Sequence, residues 1–404
     1  MNARIEKSVA MGCVVAPPSK SMAHRYLICA ALSPLKSTIS NLSLSDDIIA
    51  TIDCLRALGA NIELEDDKAH IIGVLPENFS ENYSAFCNES GSTLRFLIPI
   101  LLLSENTSVI QRSPSLAKRP LDVFINLFEN NNILFKLDNE NVILKGKLFS
   151  GNYEVPANVS SQFISGLLFA LPLLYEDSTI TLLNGIESKD YINMTIAAQA
   201  LFGVNIEWKD DTTIFIKGNQ EYTPCDIAVE GDFSNSAFFG ALNAIGSEIY
   251  IDGLFEKSLQ GDKVFFDLAD KFKSFAPVID LANCPDLGPI LMTLATYFNG
   301  AHFINTGRLK IKESDRGVVM AEELKKFGAD ISVLQSEIIV KRSVLHTPEV
   351  ELCGHNDHRV VMSLAVLCTA FGGTITGVEA VNKSFPDFFE KIKSLGIRVD
   401  LYDK

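Results

Sequence analysis

Six polar clusters in this 404-residue chain stand just ahead of apolar helical segments, and their residue types are those that hold anions. The first reads Pro17-Pro-Ser-Lys-Ser-Met-Ala-His-Arg-Tyr26 and runs on to Leu32. Proline disfavours helix in the residue before it, so the two rings end an extended segment. Ser19 or Ser21 then caps a helix whose start is flanked by Lys20 and Arg25. Exposed N–H groups, a hydroxyl and two cations at a helix N-terminus make an oxyanion site, although a capped helix with two solvated cations has the same composition. The later clusters are Ser90-Gly-Ser-Thr with Arg95 a turn on, Ser160-Ser-Gln162, Asp232, Asp286, and Asp357-His-Arg359. A second set of helices opens on charge as well: Lys118-Arg-Pro120, Lys310-Ile-Lys-Glu-Ser-Asp-Arg316 and Lys383-Ser-Phe-Pro386. Recurrent cations predict an anionic small substrate with more than one phosphate or carboxylate, held by bidentate Arg and point-charge Lys contacts.

The elements that position these residues repeat. The first helices begin at Ser19, Ser90, Ser160, Asp232, Asp286 and Asp357, at intervals of 71, 70, 72, 54 and 71 residues. More amphipathic second helices begin at Asp47, Arg119, Asp190, Gly261, Asp315 and Pro386. Four end in related phrases: Leu58-Gly-Ala-Asn-Ile62, Phe202-Gly-Val-Asn-Ile206, Phe327-Gly-Ala-Asp-Ile331 and Leu395-Gly-Ile-Arg-Val399. Glycine there is a helix C-cap, and the β-branched residues after it open a strand. Each repeat therefore reads βαβαββ, with Thr213–Lys217 and Glu337–Val340 as terminal hairpin strands. The fourth repeat is 17 residues short, about one missing hairpin. First helices apolar all round belong inside a domain. Second helices with one charged face, such as Glu322, Glu323, Lys325 and Lys326, belong outside. The expected fold class is α/β (α+β in some schemes), with two similar domains of three repeats each. With all first helices running one way, their N-termini converge on one face of each domain, and two such faces opposed form a cleft.

Composition narrows the function classes. The chain is 47% hydrophobic and 21% charged, as expected of a globular protein. Its net charge of −15 argues against nucleic acid and anionic membranes, and no stretch approaches the roughly 20 apolar residues that span a bilayer. Met1–Ala16 lacks an apolar core of signal-peptide length and reads as a first strand. Eight scattered cysteines without a C-x-x-C pair predict neither a disulfide frame nor a metal cluster, and point to a reducing cytoplasm.

Taken in order, Ser19-Lys-Ser-Met-Ala-His-Arg25, Gly91-Ser-Thr-Leu-Arg95, Lys118-Arg-Pro120, Ser160-Ser-Gln162, Lys312-Glu-Ser-Asp-Arg316, Asn356-Asp-His-Arg359 and Lys383-Ser-Phe-Pro-Asp387 resemble the signatures of the 5-enolpyruvylshikimate-3-phosphate synthase family over nearly the whole chain. The resemblance implies the enolpyruvyl transferase fold, a C-terminal domain of residues 229–404 closed by the first strand (1–18), an N-terminal domain of 19–228, and an active site in the cleft between them. It implies transfer of the enolpyruvyl group of phosphoenolpyruvate to the 5-hydroxyl of shikimate 3-phosphate by addition and elimination of phosphate. No metal or organic cofactor is expected, and the protein is expected to be a cytoplasmic monomer. By position, Asp286 orients and deprotonates the 5-hydroxyl, while Lys312 and Glu313 move protons at the enol carbon. Shikimate 3-phosphate is assigned Lys20, Ser21, Arg25, Ser160, Ser161, Gln162, Tyr191, Asp286 and Lys312. Phosphoenolpyruvate is assigned Lys20, Gly91, Arg119, Gln162, Arg316, Arg359 and Lys383.

Blander readings stand beside these. Asp286 has the residue type of an ordinary helix cap, Lys312–Glu313 that of a solvated ion pair, and His358 that of a structural histidine. Two positions depart from the family pattern: Glu89, where many members have the Asn of Asn-Ala-Gly-Thr, and Arg308, where many have Asn. They are expected to belong to a variant arrangement around the ligands, as mutual partners. The alternatives in function are enolpyruvyl transfer to UDP-N-acetylglucosamine, and a non-catalytic phosphometabolite-binding protein on the same fold. Ser21 after Lys20, and the retained Asp286, Lys312 and Glu313, favour the shikimate enzyme over both.

Overall fold

The computed structural model describes residues 1–129 and 131–403. The chain divides into a central domain, Pro18–Glu230, and a split domain of Met1–Pro17 with Gly231–Lys404. Each buries its own apolar core. The six first helices are α1 (Lys20–Ala31), α2 (Gly91–Leu101), α3 (Ser161–Ala170), α4 (Phe233–Ala244), α5 (Gly288–Tyr297) and α6 (His358–Phe371). These are the interior helices. In α6 every residue from His358 to Thr369 is buried, which fits a segment with no polar face to show to water.

Around these helices lie four-stranded sheets of one recurring pattern. In the second repeat Asn82–Phe86 runs parallel to Thr107–Gln111, which pairs antiparallel with Asn141–Lys145, whose hairpin partner Leu134–Asp138 forms the edge. The third repeat (Asn152–Pro156, Ser178–Leu183, Thr213–Ile216, Ile206–Trp208) and the fifth (Val278–Asp280, Gly300–Ile304, Glu337–Lys341, Asp330–Val333) follow the same order. The fourth has only Met11–Val15 parallel to Glu248–Asp252, so its 17-residue deficit is the absent hairpin. The glycines of the recurring phrase, Gly59, Gly203, Gly328 and Gly396, have φ of 121°, 82°, 93° and 99°. L-side chains resist that region, which is why each second helix stops there and a strand follows.

Three particulars differ from the sequence reading. Met1–Pro18 contains two strands with separate partners, not one. Asn2–Ile5 lies between Gly373–Thr376 and Val399–Tyr402, antiparallel to both, in the place a fourth strand takes elsewhere, whereas Met11–Val15 serves the fourth repeat. The first repeat is completed from far along the chain, by Ile227–Ala228 parallel to Lys36–Ser40. That pairing, with Val229 N–H donating to Ser40 O (2.9 Å) and Ser19 N–H to Glu230 O (2.8 Å), carries the central domain through Glu230. Finally, the charged face of Arg316–Lys325 is narrower than expected, because Glu322 and Lys325 are exposed but Glu323 is only 2% exposed.

Two interior helices of the central domain approach closely at a position without a side chain. A Cβ on Gly166 of α3 would sit 2.3 Å from the carbonyl oxygen of Arg95 in α2, inside contact distance. Gly166→Ala must separate the two helices and is expected to destabilise the central domain by about 2–3 kcal/mol. Chemical denaturation followed by a probe in that domain checks this, and an unchanged midpoint would contradict the packing argument.

Candidate active site

In the central domain the three helix starts converge. Ser19, Ser90 and Ser160 cap α1, α2 and α3 through their hydroxyl oxygens, which accept from Met22 N–H, Thr93 N–H and Gln162 N–H. Lys20, the first residue of α1, meets Asp47 at 2.6 Å, and Asp47 lies on the first turn of the helix Asp46–Leu58. Arg25, one turn deeper and 3% exposed, donates to Thr195 Oγ1 (2.9 Å), Tyr191 O (2.9 Å) and Ser21 O (2.6 Å). Its guanidinium also lies over the rings of Phe96 and Tyr191, at 5.4 and 5.9 Å from their centroids. Burial brings Arg25 down to about 10, with Tyr191, Cys29 and Tyr26 pulling the other way, so it stays charged at neutral pH. His24 is held well below the ordinary histidine range by burial and then by Lys20 and Arg25, and its neutral ring bonds Thr51 Oγ1 at 2.7 Å.

A second group surrounds Gly91. Gln162 Oε1 accepts from Arg95 Nη1 (2.8 Å), and its Nε2 donates to Ser92 Oγ (2.9 Å), tying the starts of α2 and α3 together. A Cβ on Gly91 would stand 2.9 Å from the Nη1 atoms of both Arg119 and Arg95. The missing side chain therefore lets two guanidinium groups approach the helix start. Ser161 is buried beside Ser160, and Glu89 is half-buried two residues before Gly91.

The split domain gathers the other assigned residues around one guanidinium. Arg316, 1% exposed, donates to Asp357 Oδ2 (2.8 Å), Asp286 Oδ1 (2.7 Å) and Glu313 Oε2. Lys312 reaches Asp286 Oδ1 at 3.0 Å, and Arg359 reaches Asp286 Oδ2 at 3.8 Å. Asp357 caps α6 by accepting from Arg359 N–H (3.0 Å) and also takes the Ser314 hydroxyl (3.0 Å). Lys383, 7% exposed, donates to Asn356 O at 2.5 Å. Burial, and the neighbouring charge of Glu313, raise Asp286, but Lys312, Arg359 and Arg316 together hold it well below the usual carboxylate range. Burial lowers Lys312, with the cations Arg308 and Arg316 adding to this and Asp286 opposing it.

Asp286 is not a helix cap. It sits in a 3₁₀ turn, Pro285–Leu287, ahead of α5, and its carboxylate faces three cations. Lys312 and Glu313 fall between the 3₁₀ segment Thr306–Ile311 and the helix Arg316–Lys325, and both are mostly buried, unlike a solvated pair. His358 is buried on the first turn of α6. Arg308 is 7% exposed in the split domain, while Glu89 belongs to the central one. The sequence reading missed the roles of Asp47 and Asp357 as partners of Lys20 and Arg316. Both stand at helix starts beside clusters of cations, which was the available signal. It also missed Asp262.

The helix-start chemistry on paired three-repeat domains defines a class: two-domain α/β proteins of βαβαββ repeats that hold anionic metabolites. A family model described as EPSP synthase (3-phosphoshikimate 1-carboxyvinyltransferase) matches residues 6–273 and 267–392, and the chain belongs to this family. Relatives named 3-phosphoshikimate 1-carboxyvinyltransferase are 42% identical in Clostridium perfringens strain ATCC 13124 (97% of each chain) and 40% identical in Clostridioides difficile strain 630 (98% of each). One from Clostridium botulinum strain Alaska E43 is 41% identical over 95% of each chain. A solved EPSP synthase of Acinetobacter baumannii superposes with a TM-score of 0.80 over 99% of this chain and 100% of that one, at 22% identity, and so shares the fold.

Asp262, 2% exposed, accepts a hydrogen bond from the Ser234 hydroxyl on the first turn of α4. Burial, then the charge of Asp286, push it up to about 6, against the pull of Arg359 and Ser234. A carboxyl raised on folding contributes stability below its unfolded value, and that contribution is lost as pH rises through the folded value. Asp262→Asn removes this loss. The variant is therefore expected to gain stability over the wild type at pH 8, and less at pH 5. Thermal melts at the two pH values check it, and an equal difference at both would show that Asp262 titrates normally.

Proposed function

We propose that the protein transfers the enolpyruvyl group of phosphoenolpyruvate to the 5-hydroxyl of shikimate 3-phosphate, giving 5-enolpyruvylshikimate 3-phosphate and inorganic phosphate. The observation that carries this assignment is the Asp286–Lys312–Glu313–Arg316–Arg359 network, which joins a carboxylate, an acid–base pair and two guanidinium groups in a chain of this family. Arg119, Arg316, Arg359, Lys383, Lys20 and Gln162 hold the phosphate and carboxylate of phosphoenolpyruvate, beside the cleared start of α2 at Gly91. Arg25, Ser21, Ser160, Ser161, Gln162, Tyr191 and Lys20 hold shikimate 3-phosphate.

Asp286 takes the 5-hydroxyl proton as the oxygen attacks C2 of the enolpyruvate, while Lys312 or Glu313 protonates C3 to a methyl group. The C2–O bond to phosphate then breaks, phosphate leaves, and the methyl group returns a proton to restore the vinyl group. A carboxylate held far below its usual range is a weak base. Substrate anions that draw Arg316 and Arg359 away from Asp286 raise its proton affinity, so the base strengthens as the site fills. On this reading the protein works in the cytoplasm as a monomer, without a metal or organic cofactor.

The test is phosphate release from phosphoenolpyruvate on adding shikimate 3-phosphate, with UDP-N-acetylglucosamine in a parallel reaction. Release is expected with shikimate 3-phosphate alone. Asp286→Asn should lower kcat about 10²–10⁴-fold, as for loss of a positioned general base. Release only with the sugar nucleotide would overturn the acceptor assignment, and folded protein silent with both would overturn the reaction.

A further inference from the structure

We propose that the pair formed by buried Glu323 and half-buried His355 is a positioning device for the Lys383 ammonium and thereby sets affinity for phosphoenolpyruvate. This rests on Lys383 being a ligand of that substrate. Glu323 lies on the helix Arg316–Lys325, on a face the sequence pattern assigns to solvent, yet its side chain is 3% exposed. Its Oε1 accepts from Lys326 Nζ (2.9 Å) and pairs with His355 Nε2 (2.9 Å). Its Oε2 accepts from Lys326 Nζ (2.8 Å) and from the Cys353 N–H (2.9 Å). A buried carboxylate held by four contacts from three partners is a fixed point, because losing its cation leaves charge uncompensated.

What Glu323 fixes is the turn ahead of α6. His355 and Asn356 have φ of 49° and 53°, two consecutive non-glycine residues in the left-handed region. Side chains resist that conformation, and two in succession persist only when their surroundings enforce it. The enforcement comes from both ends. Glu323 holds the Cys353 N–H and the His355 ring, while Gly354 N–H donates to Thr376 O (2.9 Å) and Asp357 N–H to Gly354 O (2.9 Å). A Cβ at Gly354 would stand 2.6 Å from Val361 Cγ2, so the turn has no room to shift there. The left-handed pair turns the Asn356 carbonyl to Lys383 Nζ, at 2.5 Å, and delivers Asp357 to Arg316. Glu323 meets no assigned substrate ligand directly in these contacts. It acts through a backbone carbonyl two residues beyond Gly354.

The test is a double-mutant cycle between His355→Ala and Lys383→Met, reading the Kd of phosphoenolpyruvate by calorimetry together with both KM values in turnover. His355→Ala is expected to raise the Kd and KM for phosphoenolpyruvate about tenfold, the scale of a lost charge-assisted hydrogen bond. The KM for shikimate 3-phosphate should stay unchanged. In the Lys383→Met background the same substitution should add no further loss, since residues acting through one another are not additive. Glu323→Gln keeps the shape but turns one of the two acceptors into a donor, so it should raise the Kd of phosphoenolpyruvate in the same direction, and it serves as the second variant if His355→Ala does not fold. Equal losses with and without Lys383, or parallel changes in both KM values, would overturn the proposal. Phosphoenolpyruvate binding by a wild type that releases no phosphate would remove the enzymatic assignment while the calorimetric cycle still decides this one. No binding by the wild type would overturn both.

Discussion

The charge balance around Arg316 constrains everything else in the split domain. A guanidinium 1% exposed is stable only because Asp357, Asp286 and Glu313 surround it, and burial without them would cost several kcal/mol. Those three carboxylates come from the turn before α6, the turn before α5 and the segment before the outer helix of the fifth repeat. The guanidinium therefore fixes three chain segments at once. The central domain uses the same device with Lys20 and Asp47. Cations assigned to substrate anions in the proposed function are thus balanced by the protein's own carboxylates, so that on this proposal an incoming anion competes with them rather than meeting bare positive charge.

Much of the architecture was legible because each repeat states it again. Small polar residues before apolar runs marked the six interior helices, and the four Gly phrases marked where outer helices stop. The missing hairpin of the fourth repeat was legible as a length. Strand partners distant in sequence were less legible. Ile227–Ala228 is too short to carry a periodicity, and Met11–Val15 is largely exposed, so neither shows which sheet it completes. The candidate site was legible as residue types and not as pairings. Asp286 has the composition of a cap, and only the geometry of the 3₁₀ turn directs it to Lys312 and Arg359 instead. Glu323 misled for a related reason: amphipathic spacing marks a charged face, and a buried fixed point built from charge looks the same in sequence.

Packing and chemistry meet at the helix starts. Gly166 lets α2 and α3 approach at the Arg95 carbonyl, and the side chain of that same arginine meets Gln162 at the head of α3. Spacing between two interior helices thereby fixes where a guanidinium stands. This coupling explains why the polar clusters lie at the ends of the most apolar segments in the chain: rigid packing below holds the charged groups above with little freedom to lose on binding.

The placement of Asn2–Ile5 between Gly373–Thr376 and Val399–Tyr402 bears on how the chain is made. Every strand of the central domain lies within residues 18–230, so that domain is complete in sequence once Glu230 leaves the ribosome. Asn2–Ile5 is synthesised about 370 residues or more before either of its neighbours. At 5–20 residues per second that interval is roughly twenty to eighty seconds, for most of which Asn2–Ile5 has neither sheet neighbour. An unpaired strand in a nascent chain is a template for wrong pairing, and this one is only four residues long and contains Arg4. Its shortness and charge limit adhesion while the rest of the sheet is still being translated.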